Sequence, residues 1–355
     1  MRRRNLRIYP PLTSPWTQRA SRQGGANIWN METMRPTQRS LDPQTDTTTT
    51  AKPVASTFQP ATPVGTVCVA LVTPMREDGR IDYEAAGQLA SHLVAQGADS
   101  ILVSGTTGES PTTHQGEKDD LTRAVVEAVG ERAYVMAGAG SNHTDHAVRM
   151  AEHAQECGAD GLLVVSPYYN RPSQRGLILH VESIAAATDL PITLYDIPGR
   201  TAVAFSDDTL DHLAQHPQVV AVKDATGKPE QGLTRMERTG LAYYSGDDGL
   251  NYAFLTGGAS GVISVVGHVA AAHYRKMVDL VAAGSYPQAR AVHRQLAPLV
   301  EAIMGGGQGA VMAKAAMNEL GLIPTPTLRA PLAPASDEEL AQLRTALANY
   351  AALGE

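Results

Sequence analysis

From residue 66 onward the chain alternates between two textures. Short apolar runs occupy Val67–Val72, Ser100–Val103, Ala133–Ala137, Gly161–Val165, Pro191–Tyr195, Val219–Lys223, Leu241–Tyr244 and Gly261–Val265. Each is four to six residues long and lacks apolar–polar alternation, which is the pattern of parallel strands covered on both faces. Most of the intervening segments carry helix start and stop signals. Asp82 precedes a helical pattern that ends near Gln96, with Gly97 behind it. Thr113 or His114 precedes one that reaches about Val129 before Gly130, and the stretch from Asn142 to Asp145 opens a third that stops at Cys157-Gly158.

An internal echo supports a repeated strand–helix unit. Gln96-Gly-Ala-Asp-Ser-Ile-Leu-Val-Ser resembles Cys157-Gly-Ala-Asp-Gly-Leu-Leu-Val-Val, and Gly257-Gly-Ala-Ser-Gly-Val-Ile-Ser is a fainter third copy. Each reads as a C-capping glycine, a short turn and a strand. Eight such units predict an α/β fold of the (β/α)₈ (TIM) barrel type over residues 61–268. A doubly wound sheet is the competitor, but the first strand leads into Thr73-Pro74-Met75 and not into a glycine-rich dinucleotide loop. Helical patterns continue over about 270–283, 286–303, 309–320 and 337–352. They predict a C-terminal helical region, residues 269–355, packed on the barrel and available for an oligomer surface.

Residues 1–60 show neither helical nor strand periodicity and are rich in Arg, Thr, Ser, Pro and Gln. They read as a disordered N-terminal tail, or as the product of an early start with Met31 and Met34 as later ones. They also change the meaning of the net charge of −7: this segment carries +6, so the remainder stands at −13. An acidic body argues against nucleic acid as the main partner. No apolar segment follows Met-Arg-Arg-Arg, and no stretch approaches the ~20 apolar residues of a membrane span. The expectation is a cytoplasmic protein with no membrane partner. Three Phe and two Trp leave the core to Ala, Val, Leu and Ile. Cys68 and Cys157 are the only cysteines; they form no zinc or redox motif and read as buried, reduced thiols.

In a barrel of this type, chemistry sits at the C-terminal ends of the strands. Four polar loops follow strands there: Gly105–Ser110, Ser166–Pro172, Tyr195–Thr201 and Lys223–Gly227. Lys223 is the sharpest signal, because it closes the run Val219-Val-Ala-Val and its amine would emerge from an apolar interior. Burial disfavours an ammonium ion, and the free amine is the form that attacks a carbonyl. A lysine that snorkels at a strand end makes the same pattern; position alone does not choose between them, and the other three loops favour imine chemistry. Such chemistry needs hydroxyl groups that relay protons, and Tyr195 and Thr106 are candidates. Equally, Tyr195 could cap the core and Gly-Thr-Thr-Gly could be simple turn chemistry. Backbone N–H groups of that turn could hold a carboxylate, and Arg200 could grip a second one, although in isolation it reads as a solvated arginine.

Other features carry less. His143/His146 and His212/His216 lack the glutamate of a zinc-protease motif and read as surface histidines, so no metal is expected. Gly305-Gly-Gly-Gln-Gly reads as a flexible turn between helices, and Ser245-Gly-Asp-Asp248 as a helix N-cap after the seventh strand.

Taken together, Gly-Thr-Thr-Gly-Glu at 105–109, Pro-Tyr-Tyr-Asn-Arg-Pro at 167–172, Tyr-Asp-Ile-Pro-Gly-Arg at 195–200, Lys-Asp-Ala-Thr-Gly at 223–227 and Gly-Val-Ile-Ser-Val at 261–265 resemble the dihydrodipicolinate synthase family. That family belongs to the pyruvate-dependent aldolase superfamily, which also contains N-acetylneuraminate lyase. The resemblance runs from about residue 64 to the C-terminus. It implies condensation of pyruvate with aspartate semialdehyde in lysine and diaminopimelate synthesis, through an imine on Lys223 and without a cofactor. It further implies a proton relay of Thr106, Tyr195 and Tyr169, with Tyr169 donated into a neighbouring subunit of a homotetramer built from tight dimers. Thr107 would bind the pyruvate carboxylate, Arg200 with Gly199 the aldehyde substrate, and Ile263 would lend a backbone carbonyl near the lysine.

One departure from the family's pattern bears on regulation. Members inhibited by lysine bind it near a glutamate on the helix after the third strand and near histidines after Gly-Glu-Ser. Those positions here hold His146, Gln115 and Lys118, while Asn142 and Tyr168 match. An added ammonium, and imidazole in place of a carboxylate, should repel a cationic effector, so weak or absent lysine feedback is expected. The competing functions are another keto-acid aldolase or dehydratase of the same superfamily, and a non-catalytic barrel, against which the intact Lys223, Thr106, Tyr169 and Tyr195 argue.

Overall fold

Each of the eight apolar runs forms a strand in the computed structural model, which describes residues 61–306 and 308–353; the expected tail, residues 1–60, lies outside them. The strands are β1 (Val67–Ala70), β2 (Ser100–Val103), β3 (Tyr134–Gly138), β4 (Gly161–Val165), β5 (Ile192–Asp196), β6 (Val219–Asp224), β7 (Ala242–Ser245) and β8 (Gly261–Ser264). They pair in chain order, all parallel, and β8 returns to β1 to close the barrel. Around them lie α1 (Tyr83–Ala95), α2 (Gln115–Val129), α3 (Thr144–Glu156), α4 (Gln174–Ala185), the single turn α5 (Pro198–Thr201), α6 (Asp207–Leu213), α7 (Pro229–Thr239), α8 (Asn251–Thr256) and α9 (Gly267–Ala282). The C-terminal helices are α10 (Tyr286–Val300), α11 (Gly309–Glu319) and α12 (Asp337–Ala351). The fold is a (β/α)₈ barrel with C-terminal helices.

Local chemistry sets the element ends. Asp82 caps α1 by accepting from Ala85 N at 3.1 Å, and His114 with Glu117 forms the capping box of α2. β1 ends at Ala70, two residues short of the apolar run, because Val72 N donates to Nε2 of His268 and not to a neighbouring strand. Cys68 and Cys157 are free and buried as expected, and burial pushes the Cys68 thiol up to about 12.

Alternation along the strands divides the apolar residues into two layers. Val69, Ile101, Val135, Leu162, Leu194, Val222 and Tyr243 face the helices. Cys68, Ala70, Leu102, Met136, Leu163, Tyr195, Ala221, Tyr244 and Ile263 fill the barrel interior. The β5–β6 pair carries an irregularity: Ile192 pairs with Val219, but Thr193 pairs with Ala221, so Val220 is an extra residue on β6. Such a bulge shifts the parity of everything after it. Here it turns Ala221 and Lys223 inward.

At β3 the backbones of neighbouring strands approach so closely that only glycine fits. A Cβ on Gly138 would stand 2.3 Å from the carbonyl oxygen of Ser104, the residue that leads out of β2. The substitution Gly138→Ala is therefore expected to cost about 1–3 kcal/mol of stability. Gly199→Ala, where an added Cβ meets nothing within 4 Å, should stay within about 0.5 kcal/mol. Paired thermal melts test this; equal midpoints for the two variants would contradict the close contact.

Candidate active site

Lys223 and Tyr195 are register partners on β6 and β5. The lysine is 4% exposed and the tyrosine 6%, and the amine lies 4.4 Å from the centroid of the tyrosine ring. On the other side, the chain after β7 presses on the lysine stem: an added Cβ on Gly246 would stand 2.9 Å from Lys223 Cγ. The side chain is thus held within the barrel and does not snorkel to solvent. It lines a cavity of about 240 Å³ together with Tyr195, Thr106, Thr107, Arg200 and Ala70. An adjoining cavity of about 480 Å³ shares Thr106, Tyr195, Ile197 and Arg200 and extends to Lys118, His146 and Tyr168.

The turn after β2 is built to present its threonines. Gly108 N donates to Gly105 O at 3.1 Å, Glu109 N to Thr106 O at 3.1 Å and Ser110 N to Gly105 O at 3.2 Å. Thr73 Oγ1 donates to Gly108 O at 2.7 Å, tying the turn to the chain after β1. Ser104 and Glu109, which bracket the turn, both adopt left-handed φ angles, 54° and 57°. That conformation costs of order 1–3 kcal/mol in a residue with a side chain and persists only where surroundings enforce it. Thr107 is buried and Thr106 is exposed at the mouth.

The remaining candidates divide. Arg200 is exposed but lines both cavities. Ile263 is buried in the interior layer beside Cys68, its strand partner. Gly199 is exposed and lines neither cavity. Tyr169 is not brought to the mouth either: it is 89% exposed, at a φ of 73°. Of the five positions singled out for an effector, Lys118, His146 and Tyr168 line the larger cavity. Gln115 instead bonds Asp119 at 2.7 Å, and Asn142 offers its backbone carbonyl to Asn170 at 2.8 Å. Lys118 is buried and donates to the carbonyls of Ser110 and Thr113. Burial draws its amine down to about 8. Burial likewise lowers His146, helped by the charge of Lys118.

Residues 63–350 match the model of the dihydrodipicolinate synthetase family. The chain belongs to that family. It is 50% identical over 296 residues to the 4-hydroxy-tetrahydrodipicolinate synthase of Kineococcus radiotolerans, covering 83% of this chain and 96% of the relative. Among solved structures, the enzyme from Cyanidioschyzon merolae with lysine bound is similar at 38% identity and a TM-score of 0.78, over 82% of this chain and 99% of the other. The chloride-inhibited dihydrodipicolinate synthase from Acinetobacter baumannii, complexed with pyruvate, is similar at 35% identity and the same TM-score, over 81% and 99%.

Two features at and behind this family member's site escaped the sequence. Gly305-Gly-Gly-Gln-Gly was read as a turn between helices, yet Gln308, Gly309 and Ala310 line the cavity of Lys223, as do Pro331 and Leu332 beyond α11. The second feature is a carboxylate pair on the helix-facing side of the same strands. Asp196 and Asp224, each next to an inward residue, are strand partners and buried. Arg235 lies between layers with Nη1 at 3.5 Å from Asp196 and Nε at 2.8 Å from Asp207. Burial, then the charge of Asp224, pushes Asp196 up to about 7. The Tyr-Asp and Lys-Asp dipeptides hold the signal, because parity sends the second residue of each away from the cavity.

The raised carboxyl binds its proton more tightly in the folded state than in the unfolded one. Asp196 therefore lends stability that is complete below its ordinary value of 3.8 and is lost as pH rises through about 7. Chemical denaturation across that window should show Asp196→Asn gaining on the wild type as pH rises. A stability difference that stays flat with pH would mean that the carboxyl titrates normally.

Proposed function

We propose that this chain is a 4-hydroxy-tetrahydrodipicolinate synthase that condenses pyruvate with L-aspartate 4-semialdehyde through a Schiff base on Lys223. The observation that carries the reading is the buried amine beside the Tyr195 ring in a cavity that also receives both threonines of the turn. Pyruvate is present in the Acinetobacter baumannii structure, a relative that matches over most of this chain.

In this mechanism the Lys223 amine adds to the keto carbon of pyruvate, and loss of water gives the imine. Removal of a methyl proton gives the enamine, whose carbon attacks the aldehyde carbon of the second substrate. The amine of that substrate then attacks the imine carbon, closing the ring and releasing Lys223. Each step moves a proton, and hydroxyls in reach supply the route. Tyr195 and Thr106 take that role from within the chain, and Tyr169 completes it from a second copy. Its near-complete exposure, on strained backbone, suits a side chain destined for a neighbour's site. That role requires at least a dimer, and the family resemblance extends it to a homotetramer of tight dimers. Thr107 N–H and hydroxyl groups take the pyruvate carboxylate, and Arg200 at the rim takes the carboxylate of the aldehyde. Ile263 offers its backbone carbonyl near the lysine, and Gly199 belongs to the turn that presents Arg200 at the rim. No cofactor is required, and the substrates are small molecules of the cytoplasm.

Borohydride added with pyruvate should trap a mass increase on Lys223, and Lys223→Met should abolish it while lowering turnover by at least about 1000-fold. A coupled assay with aspartate semialdehyde separates this function from another keto-acid aldolase. In that assay Arg200→Ala should raise the KM for the aldehyde by about 10–100-fold, the worth of a charged hydrogen bond, and leave the KM for pyruvate nearly unchanged. An unmodified Lys223 would sink the imine chemistry; an adduct without turnover of the semialdehyde would sink only the acceptor.

The larger cavity bears on feedback. Lysine is bound in the Cyanidioschyzon merolae structure, but a lysine entering the cavity here would meet the Lys118 ammonium and no acidic side chain among its lining residues. Steady-state rates should change little at submillimolar lysine. A rate halved in that range would contradict this.

A further inference from the structure

We infer that the buried pair of Lys314 and Glu109, with Arg329 beside it, is a latch that holds the Thr106–Thr107 turn in its reacting position and seats residues 327–332 against the cavity of Lys223. The inference rests on the imine mechanism proposed above for that cavity. Lys314, on α11, and Glu109, at the end of the turn, form an ion pair with both side chains wholly out of solvent. The Lys314 ammonium also donates to Thr327 O at 2.8 Å. The second carboxylate oxygen of Glu109 accepts from Arg329 N at 3.0 Å. Glu109 is thereby gripped by two separate segments of the C-terminal region, two residues from Thr107.

Arg329 extends the grip outward. Its guanidinium donates to Gly79 O at 2.9 Å, to Thr112 O at 2.8 Å and to Glu117 at 2.5 and 2.7 Å. It thus joins the chain after β1, the turn after β2 and the start of α2. Thr325 adds a bond to Met75 O at 2.7 Å. The segment so fastened delivers Pro331 and Leu332 to the cavity wall, and α11 delivers Gly309 and Ala310.

Stability does not explain the pair. Two charges removed from water gain little over well-packed apolar side chains of the same volume, whereas a directional pair fixes one arrangement. Here the arrangement needs fixing, because Glu109 sits in left-handed backbone that its surroundings must enforce. Lys314 and Glu109 are positioning residues: Lys314 does not line the cavity of Lys223, and although Glu109 does, its two carboxylate oxygens are taken by Lys314 and Arg329, so both act through the turn.

The test is the double variant E109Q/K314M, which removes both charges at nearly constant shape and so avoids an orphaned buried ion. Turnover is counted per site that borohydride traps with pyruvate. The thermal midpoint should stay close to that of the wild type, while kcat falls about 100-fold, as for a sub-ångström-to-ångström misplacement of reacting groups. Wild-type kcat within threefold would overturn the latch. If the double variant does not fold, R329K decides: the fork is lost on a partly exposed side chain, and kcat should fall about tenfold with an unchanged melt, unchanged kcat overturning the latch. The wild-type control separates the two levels. An unmodified wild-type Lys223 would overturn both mechanism and latch, whereas a normal wild-type adduct with an active double variant would overturn the latch alone.

Discussion

The chemistry of this molecule depends on strand register in a closed parallel barrel. Successive residues of a strand point to opposite layers, so position 223 can face the interior only if position 224 faces the helices. The bulge at Val220 sets that choice. With simple pairing onward from Ile192 and Val219, Val222 would stand beside Tyr195 and the lysine would point into the helix layer. One inserted residue brings amine and phenol ring together, and closure of the barrel prevents the strands from slipping back. The consequence on the outer side is a buried pair, Asp196 and Asp224, relieved by Arg235, by local N–H groups and by the Thr226 hydroxyl.

How much of this was legible follows from the length scale of each signal. Strands β2 and β4 match their apolar runs at both ends, and the other six differ by one or two residues. Unbroken apolar runs of that length have few alternatives once helices cover both ends. Lys223 was legible because a lysine closing such a run is anomalous, Tyr195 because it stands at the end of β5, and Thr106 and Arg200 because they stand in the segments that follow β2 and β5 at the same end of the barrel. The bulge was not legible: Val219, Val220 and Ala221 read equally well in either parity, and only the partner strand decides.

Long-range polar partners were also out of reach. Lys314 lies in Ala-Val-Met-Ala-Lys-Ala-Ala-Met, which reads as the buried face of a helix with one charged residue. Its partner is 205 positions away, and no local pattern announces that. Glu109 was seen only as a letter in Gly-Thr-Thr-Gly-Glu, although its burial makes it the end of a path from the catalytic turn to the C-terminal region. Gly199 and Tyr169 show the opposite limit. Their place in the motifs is clear, but within one chain neither reaches the cavity, and the role proposed for Tyr169 needs a second copy.

The most direct measurement is a crystal structure of the protein after reduction with cyanoborohydride in the presence of pyruvate. Continuous density should run from Lys223 Nζ to the former keto carbon, with the carboxylate against Thr107 and the Tyr195 and Thr106 hydroxyls flanking the bond. Density on a different lysine, or an adduct whose carboxylate points away from the turn after β2, would contradict the placement of the reaction at this barrel mouth.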